Sequence, residues 1–393
     1  MAIMKSCIAM LLAVMIIPSA VPCAIKGDIE YVVHLTIDGL RPETVEKNLD
    51  QLPTLRKMIE KGASTHNARA EWLETQTTPT HWSMYTSLAI EQHGYSKDED
   101  IGGVYPKSEY KESIFDLVEG NGLRACMFAG KDKFAIFQRS LPMSYYNYIS
   151  KRDQVADIFI NEMKEDPCHY SFVHLIHPDA AGHKYKGAAT IFNGKIMYDE
   201  AVKQADKYLG DIIDFVENTV PFQGRTLIIA SSDHGFADVG NHAKTEDIQN
   251  YKIPFYVMGP CVAQGADLYD LNTSTRQDPG DGLPHSYEGC QPIRNRDAAS
   301  LAADALGVTA SSGALSDMNA TLYLGQEECG GSCPLHDVCS NTPPANTTTT
   351  IPPVSVAPPA SCKNKRESCS SNTDCCGGLK CHRRKKICKR KKN

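Results

Sequence analysis

The sequence lacks the features that would place it outside the globular proteins. After residue 17 it has no hydrophobic run long enough to cross a membrane, which excludes a multi-span membrane protein. It also lacks the compositional bias of a fibre or of a wholly disordered chain, since 41% of its 393 residues are hydrophobic and 22% are charged. Such a chain can bury a core, and its length predicts about two domains, one of them large.

The chain has little net charge, −6 at pH 7, but that charge is unevenly distributed. Residues 361–393 contain 12 Lys and Arg against 2 Asp and Glu, so the other 360 residues contain 29 against 45. Six of the 15 cysteines lie in the last 32 residues. The average composition therefore conceals an acidic body and a basic, cysteine-rich tail.

Residues 1–23 are typical of a secretory signal peptide. Lys5 supplies the positive charge, Cys7–Ile17 form the apolar run, and Val21-Pro22-Cys23 offer a small-residue cleavage site. Secretion predicts an oxidising environment in which cysteines pair. It also makes three Asn-x-Ser/Thr sequons, at Asn272, Asn319 and Asn346, candidate N-glycosylation sites.

The tail, residues 361–393, is predicted to be a separate module that follows a Pro- and Thr-rich linker, residues 341–360. It has few apolar residues, so three disulfides would have to hold it together. Its six cysteines are spaced C-x6-C-x5-C-C-x4-C-x6-C, at Cys362, Cys369, Cys375, Cys376, Cys381 and Cys388. Sequence alone allows 15 pairings for six cysteines. The spacing resembles the inhibitor cystine knot (knottin) family, which implies first-to-fourth, second-to-fifth and third-to-sixth pairing.

The basic run Arg383–Lys392 within this module would suit an anionic surface, such as acidic lipid or sulfated glycan, or a channel mouth. A solvated tail without a partner is the alternative.

Residues 24–340 are predicted to form the large domain. Short β-branched apolar runs alternate there with helical patterns, which predicts an α/β sandwich with a mainly parallel central sheet. The candidate strands are Tyr31–Ile37, Ala125–Ala129, Ser171–Ile176, Thr226–Ala230 and Ile253–Met258. The candidate helices include Pro42–Lys61, Gln154–Lys164, Thr190–Val216 and Arg296–Leu306.

Carboxylates and imidazoles follow three of these strands. Because ligand groups in such a sheet belong at the carboxyl ends of the strands, these side chains are candidate site residues. Three carboxylates and three imidazoles together suit zinc, with other first-row metals possible. They are Asp38 after the first strand, Asp179 and His183 after a later one, and Asp233, His234 and His242 after another.

A candidate nucleophile lies in the segment Thr77-Thr78-Pro79-Thr80-His81. Pro79 suits an early helix position, which predicts a helix from here through Leu88. A hydroxyl at a helix N-terminus faces amide donors and the positive end of the dipole, a favourable place for a phosphate. A purely structural N-cap role for Thr77 is the alternative.

These segments resemble the alkaline phosphatase superfamily, and most closely its type I phosphodiesterase/nucleotide pyrophosphatase branch. The similarity extends in order over about residues 28–328. It is carried by Asp38-Gly39-Leu40-Arg41, Asn67-Ala68-Arg69, Thr77-Thr78-Pro79-Thr80-His81, Glu91-Gln92-His93-Gly94, Pro178-Asp179-Ala180-Ala181-Gly182-His183, Ser232-Asp233-His234-Gly235, and Gly240-Asn241-His242 ahead of Met258-Gly259-Pro260.

The resemblance implies an alkaline phosphatase-like fold and two zinc ions. One ion would be held by Asp179, His183 and His242. The other would be held by Asp38, Asp233, His234 and the Thr77 oxygen. Thr77 would attack the phosphorus, and the resulting phosphothreonine would then be hydrolysed, with two metals about 4 Å apart stabilising the entering and leaving oxygens.

The chain departs from the family pattern after His93-Gly94, where the family usually has an Asn that donates to a phosphate oxygen. Lys131 and Lys133 follow a predicted strand and could supply positive charge there instead, or lie in a solvated loop. A similar basic pair occurs in some phosphomonoesterases of the superfamily. His285 is an alternative third histidine for the first metal. The interval from His234 to His242 lacks the long insertion of animal ecto-nucleotide pyrophosphatases, so nucleotide specificity is not implied.

Seven cysteines remain between the signal peptide and the tail, an odd number unless Cys23 is retained. Cys126, next to a basic residue in a predicted strand, is the candidate for a buried free thiol.

The sequence thus predicts a secreted, two-metal phosphoric-ester hydrolase that acts on a small phosphoester, either a nucleotide or a phospholipid-like molecule. One alternative is a phosphomonoesterase of the same superfamily. Another is a toxin-like or channel-binding knottin carried on a catalytically inert domain. Phosphoethanolamine transfer is disfavoured by the absence of membrane spans.

Overall fold

The computed structural model describes residues 29–71, 74–105, 110–244, 247–282, 289–308 and 322–325, and the backbone of residues 379–381 and 388–390. The chain divides into two units, residues 1–342 and 343–393, and each is described by itself. The predicted signal peptide and the linker lie outside the described residues.

An eight-stranded sheet forms the centre of the first unit, in the order β10-β2-β9-β8-β1-β5-β3-β4. Only β9 runs antiparallel to its neighbours, β2 and β8, so the sheet is mainly parallel, as predicted. Two short strands, β6 and β7, form a separate hairpin. The strands of this unit are β1 Tyr31–Ile37, β2 Ala63–Arg69, β3 Ala125–Ala129, β4 Tyr145–Tyr148, β5 Tyr170–Leu175, β6 Ile191–Phe192, β7 Lys195–Ile196, β8 Thr226–Ser231, β9 Lys252–Met258 and β10 Ala266–Asp267.

The helices cover both faces of the sheet. They are α1 Pro42–Asn48, α2 Pro53–Lys61, α3 Thr77–Thr86, α4 Ile90–His93, α5 Ile114–Gly120, α6 Ala135–Ser140, α7 Val155–Glu165, α8 His177–Tyr185, α9 Met197–Asn218, α10 Leu268–Leu271 and α11 Asp297–Ala305. Among the described residues, none of these helices has the length and apolar character needed to cross a bilayer.

Side-chain alternation along the central strands separates two buried cores. In β1, Val32 joins one core with Trp82 of α3, whereas Val33 joins the other with Leu209 of α9. Every residue of β1 is buried, because helices cover both faces of the strand. The central strands are therefore mostly apolar, although β1 also buries the polar residues His34 and Thr36.

Two helix predictions were wrong in extent. The predicted helix Pro42–Lys61 is interrupted by a 3-10 turn, and α2 begins at Pro53, since a proline lacks the N–H that helix continuation requires. The predicted helix Thr190–Val216 begins only at Met197, because the β6–β7 hairpin occupies Ile191–Ile196.

The prediction of a free thiol at Cys126 was also wrong. Cys126 forms a disulfide with Cys168, and both residues are fully buried. The pairing of β3 with β5 brings the two cysteines together across 42 residues of sequence. Cys261 and Cys290 are disulfide-bonded as well.

One of the predicted glycosylation sequons is buried. Asn272 is only 2% exposed, and its amide donates to the carbonyl oxygens of Leu268 and Tyr323 while accepting from the Tyr323 N–H. A glycan there would break these bonds, which argues against this site. The sequons at Asn319 and Asn346 lie outside the described residues.

The second unit is described only as a two-stranded antiparallel hairpin, β11 Leu379–Cys381 and β12 Cys388–Arg390. Cys381 and Cys388 face each other in its register. The other four cysteines of the predicted knottin, Cys362, Cys369, Cys375 and Cys376, lie outside the described residues.

Candidate active site

Four neighbouring parallel strands, β8, β1, β5 and β3, deliver polar side chains to one edge of the sheet. These side chains follow the carboxyl end of each strand, where a parallel sheet places its ligand groups. They are Asp38 after β1, Lys131 after β3, Asp179 and His183 on α8 after β5, and Asp233 and His234 after β8.

The first group of possible metal ligands comprises Asp38, Asp233 and His234, all fully buried. The His234 Nε2 lies 3.5 Å from Asp38 Oδ1 and 3.4 Å from Asp233 Oδ2. The His234 Nδ1–H donates to the Gly235 carbonyl, which leaves the Nε2 lone pair directed at the two carboxylates. The other Asp233 oxygen accepts from the N–H groups of Gly39 and His234.

The second group surrounds Asp179. Its Oδ1 lies 3.2 Å from His183 Nε2 and 3.4 Å from His242 Nε2, and these two nitrogens are 3.0 Å apart. The His242 Nδ1–H donates to the Thr75 carbonyl, so its Nε2 is also free to bind. His234 adjoins this group too, within 4.8 Å of ligand atoms of Asp179 and His242. His183 is the most exposed member, with 51% of its side chain accessible.

The donors in both groups fit metal ions. Four buried atoms that face into the site lack any hydrogen-bond partner, namely Asp38 Oδ1, Asp179 Oδ1, Asp233 Oδ2 and His234 Nε2. Unsatisfied polar atoms are costly in a protein interior, and a cation would satisfy all four. The separations of 3.0 to 3.5 Å also match the spacing of about 3.3 Å between ligand atoms of a tetrahedral zinc ion.

Lys131 reaches the middle of this cluster. Its Nζ lies 2.6 Å from Asp38 Oδ2, 2.7 Å from Asp179 Oδ2 and 2.9 Å from Thr77 Oγ1. Burial opposes its charge, but Asp179 and Asp38 outweigh that effect and raise the pKa of Lys131. The ammonium group therefore stays charged beside the Thr77 hydroxyl.

The charges of the three carboxylates differ because their environments differ. Burial favours the neutral form of Asp38, but Lys131 and His174 hold its pKa well below the usual value. Asp179 behaves similarly, with Lys131 and His183 lowering its pKa against the effects of burial and Asp38. Burial and the charge of Asp38 raise the pKa of Asp233 to about 7. The site thus holds more negative charge than Lys131 alone balances, which favours a bound cation.

Thr77 is the first residue of α3 and is 1% exposed. The His81 Nδ1–H donates to the Thr77 carbonyl over 2.6 Å, and His81 also lies 3.7 Å from Asp233 Oδ2. Two residues after His81, the hydroxyl of Ser83 is hydrogen-bonded to His93 Nε2 over 2.9 Å. These histidines position the helix that carries Thr77.

The second lysine of the predicted pair does not enter the carboxylate cluster. The Lys133 Nζ instead lies 2.7 Å from Asp98 Oδ1, which also accepts the backbone N–H of Thr78 over 3.0 Å. Asp98 therefore accepts the hydrogen bond of the backbone amide that directly follows Thr77. It was missed as a site residue, although its place after His93-Gly94, where the family has Asn, was a usable signal.

Two further residues support the candidate ligands through hydrogen bonds. The His174 Nε2–H donates to Asp38 Oδ2 over 2.9 Å, so His174 orients a candidate ligand from within β5. Asn295 donates from its amide to the carbonyls of Ser232 and Asp233, and no sequence pattern indicated it. His177 packs against Tyr208, with ring centroids 5.0 Å apart, and His285 lies outside the described residues.

Comparison with known proteins agrees with this geometry. The family model described as type I phosphodiesterase / nucleotide pyrophosphatase matches residues 32–256, more than half of the chain. The chain belongs to this type I phosphodiesterase family. Its fold is shared with murine ectonucleotide pyrophosphatase/phosphodiesterase 5, at a TM-score of 0.52 and 15% identity over 72% of this chain and 96% of that one. An alkaline phosphatase superfamily protein from Vibrio parahaemolyticus matches at a TM-score of 0.51 and 15% identity, over 74% of this chain and 70% of that one.

Curated relatives of this phosphodiesterase-family chain include the bis(5'-adenosyl)-triphosphatase of Mus musculus, 23% identical over 56% of this chain and 51% of the relative. The human protein of the same name is 25% identical over 51% of this chain and 46% of the relative. The chain spans about half the length of these curated relatives. The predicted fold class and family are thereby confirmed.

Proposed function

We propose that the protein hydrolyses phosphoric esters, preferably diesters, with Thr77 as the nucleophile. The observation that carries the proposal is the position of Thr77 Oγ1 at the N-terminus of α3, 2.9 Å from Lys131 Nζ and beside two groups of unsatisfied carboxylate and imidazole atoms. The murine relative with the same fold is described in an inactive threonine-to-alanine variant in complex with AMP, which supports the assignment.

The reaction would proceed in two displacements at phosphorus. The Thr77 oxygen attacks the phosphorus, the bond to the ester oxygen breaks, and the alcohol leaves with a proton. The product on the enzyme is a phosphothreonine. A water molecule then attacks the same phosphorus and loses a proton, the bond to Thr77 Oγ1 breaks, Thr77 Oγ1 takes up a proton, and phosphate or a phosphomonoester departs. The Lys131 ammonium group stabilises negative charge on Thr77 Oγ1 in both steps.

Two zinc ions are the proposed cofactors. Asp179, His183 and His242 would hold one ion, while Asp38, Asp233, His234 and Thr77 would hold the other. When bound, such ions lower the pKa of a coordinated hydroxyl and stabilise charge on the entering and leaving oxygens of an in-line displacement. The chain orients the ligands through His174, Gly235 and Thr75, whose hydrogen bonds fix Asp38, His234 and His242.

The proposed substrates are small phosphoesters in an extracellular setting. Relatives named as bis(5'-adenosyl)-triphosphatases support nucleotide-type substrates. The buried disulfide between Cys126 and Cys168 supports an oxidising compartment and hence secretion.

A phosphomonoesterase is the second candidate. Its motivation is Lys131, because a monoester carries an additional negative charge that an ammonium group beside Thr77 would neutralise.

The two candidates are separated by comparing hydrolysis of bis-p-nitrophenyl phosphate and p-nitrophenyl phosphate by the full chain with zinc. We expect a higher kcat/KM for the diester and a loss of about 10³-fold or more in Thr77→Ala. Thr86→Ser, at the far end of α3, is the matched control. Undiminished turnover by Thr77→Ala would overturn the nucleophile, and a preference for the monoester would favour the second candidate. Inactivity on both substrates would favour an inert carrier of the C-terminal module.

A further inference from the structure

The β6–β7 hairpin exposes two large apolar side chains. Ile191 is 69% exposed and Phe192 is 49% exposed. The strands are joined by the two-residue turn Asn193-Gly194, in which both residues have positive φ, 50° and 75°. Such a turn matches the twist of the two strands and fixes their register. The backbone conformation therefore holds Ile191 and Phe192 in their exposed positions.

A second loop, bonded to the segment that precedes the hairpin, exposes a third apolar side chain. Val239 is 80% exposed. Its loop is joined to the segment that leads into β6 by three backbone hydrogen bonds, from Ala188 N to Ala237 O, from Ala189 N to Asp238 O and from Gly240 N to Lys186 O. At Gly187 the two segments approach so closely that a Cβ atom would lie 2.2 Å from the Asp238 carbonyl oxygen. We name Ile191, Phe192 and Val239 the apolar finger.

The apolar finger is joined to the candidate active site by two short segments of chain. The Phe192 ring contacts the ring of Tyr185, with centroids 5.3 Å apart, and Tyr185 lies two residues beyond His183. His183 is the half-exposed member of the metal-binding groups. On the other loop, Val239 precedes His242 by three residues. Both loops therefore lead directly from candidate metal ligands to the finger.

Positive charge surrounds the finger. Lys184, Lys186 and Lys195 are exposed, and the Lys184 ammonium lies 5.1 Å from the centre of the Tyr185 ring. The nearby acids have cationic partners: Asp238 pairs with Arg41 over 2.6 Å, and Glu200 pairs with Lys203 over 2.8 Å and with Lys195 over 3.4 Å. Although the large domain is acidic on average, this edge presents net positive charge to a partner.

We propose that the apolar finger inserts into the surface of an anionic lipid bilayer and holds the candidate active site against the phosphate headgroups. Rigid apolar side chains flanked by lysines are the combination that interfacial membrane binding uses. Three side chains are too few for a stable protein interface, which buries roughly 800 Å² on each partner. The docking itself does not depend on the proposed hydrolase activity and is measured without a substrate.

The test uses Phe192→Trp in the full chain, with vesicles of phosphatidylcholine and phosphatidylserine that contain brominated acyl chains. We expect the added tryptophan to lose about half of its fluorescence, because bromine quenches only probes within the bilayer. Val220→Trp is the matched control, since Val220 is 83% exposed but lies at the amino-terminal edge of the sheet, before β8. Its added tryptophan should not be quenched. Both variants retain the basic tail, so binding through the tail alone quenches neither.

A second measurement uses the double variant Ile191→Ser, Phe192→Ser. We expect about tenfold weaker binding to the same vesicles, with an unchanged Tm. Vesicle binding without quenching of Phe192→Trp would overturn the proposal, and so would equal quenching of Val220→Trp. Self-association of the full chain that the double variant abolishes, in the absence of quenching, would reassign the finger to a protein partner.

Discussion

The Nζ atom of Lys131 lies 2.9 Å from the Oγ1 atom of Thr77. The same ammonium group contacts one oxygen each of Asp38 and Asp179, so a single cation links the candidate nucleophile to both groups of possible metal ligands. Lys131 follows β3 and Thr77 begins α3, and the contact joins residues 54 positions apart. Asp179 and Asp38 outweigh the effect of burial and keep this ammonium charged, which makes it a source of fixed positive potential at the candidate nucleophile.

Replacement of Lys131 by methionine should therefore slow catalysis more than it weakens binding. The variant retains the length of the side chain but cannot stabilise an alkoxide at Thr77, and removal of one such group typically costs about 10²-fold in kcat. The measurement is kcat and KM on both nitrophenyl substrates. Lys111→Met, an exposed lysine, is the control and should behave like the wild type. A change confined to KM would show that Lys131 only binds the substrate.

Removal of metal should lower both activity and thermal stability. A ligand that binds only the folded state at 100 times its dissociation constant stabilises that state by about 2.7 kcal/mol. We therefore expect a chelator to lower the Tm by roughly 5 °C and added zinc to restore it.

His242→Asn should reduce this zinc response, because it removes an Nε2 atom that lies 3.4 Å from Asp179 Oδ1. His169→Gln, at a histidine outside both groups, should retain the full response. An identical zinc-dependent rise in Tm for His242→Asn and the wild type would contradict the assigned ligand.

Replacement of Asp98 by asparagine should strengthen substrate binding. The Asp98 carboxylate accepts the Thr78 N–H, a donor that an anionic phosphate at Thr77 would also need. Asparagine can still accept this bond through its carbonyl oxygen but lacks the negative charge. We expect KM for bis-p-nitrophenyl phosphate to fall about threefold, since repulsion between like charges about 4 Å apart is about 1 kcal/mol in water, and Lys133 offsets part of it.

The control for this variant is Glu91→Gln, which removes an exposed acid on α4. A rise in KM for Asp98→Asn would mean that the carboxylate assists binding by orienting Lys133.

The sequence predicts the residues of the candidate site better than it predicts the conformations of the loops. Asp38, Asp179 and Asp233 were predictable because they lie within four residues of the ends of buried strands, and parallel strands present their carboxyl ends at one edge. The contact between Asp98 and Lys133 could not be predicted, because it depends on the conformation of a loop whose sequence has no hydrophobic periodicity. The Asn193-Gly194 pair is typical of the turn in a β-hairpin, but the helical periodicity of the residues that follow predicts a helix over the same segment. The bond between Cys126 and Cys168 required the pairing of β3 with β5, which no local pattern encodes.

Loss of the disulfide between Cys126 and Cys168 should destabilise the protein without altering its chemistry. The bond closes a loop of 42 residues, for which chain-entropy arguments give a stabilisation of about 4 kcal/mol. The double variant Cys126→Ala, Cys168→Ala should unfold at a lower urea concentration, with kcat and KM close to those of the wild type. Thiol titration of the wild type under denaturing conditions, before and after reduction, checks that the bond is present. An unchanged urea midpoint would contradict its stabilising role.

Acid should destabilise the fold partly through His34, a fully buried residue of β1 that contacts the Tyr170 hydroxyl over 2.9 Å. Burial lowers the pKa of His34 from 6.5 to about 3. Between these values the unfolded chain binds a proton that the folded protein does not, so this stability is present above pH 6.5 and is lost as the pH falls toward 3. At about 1.4 kcal/mol per pKa unit, the loss is at most about 5 kcal/mol.

His34→Gln keeps a partner for Tyr170 but cannot titrate. Its unfolding free energy, measured in urea at pH 7 and pH 4, should therefore fall less on acidification than that of the wild type. The other buried histidines contribute equally to both proteins and cancel in the difference. His169→Gln, at a partly exposed histidine, should change the pH dependence much less. Equal acid sensitivity of His34→Gln and the wild type would show that His34 is protonated within the fold.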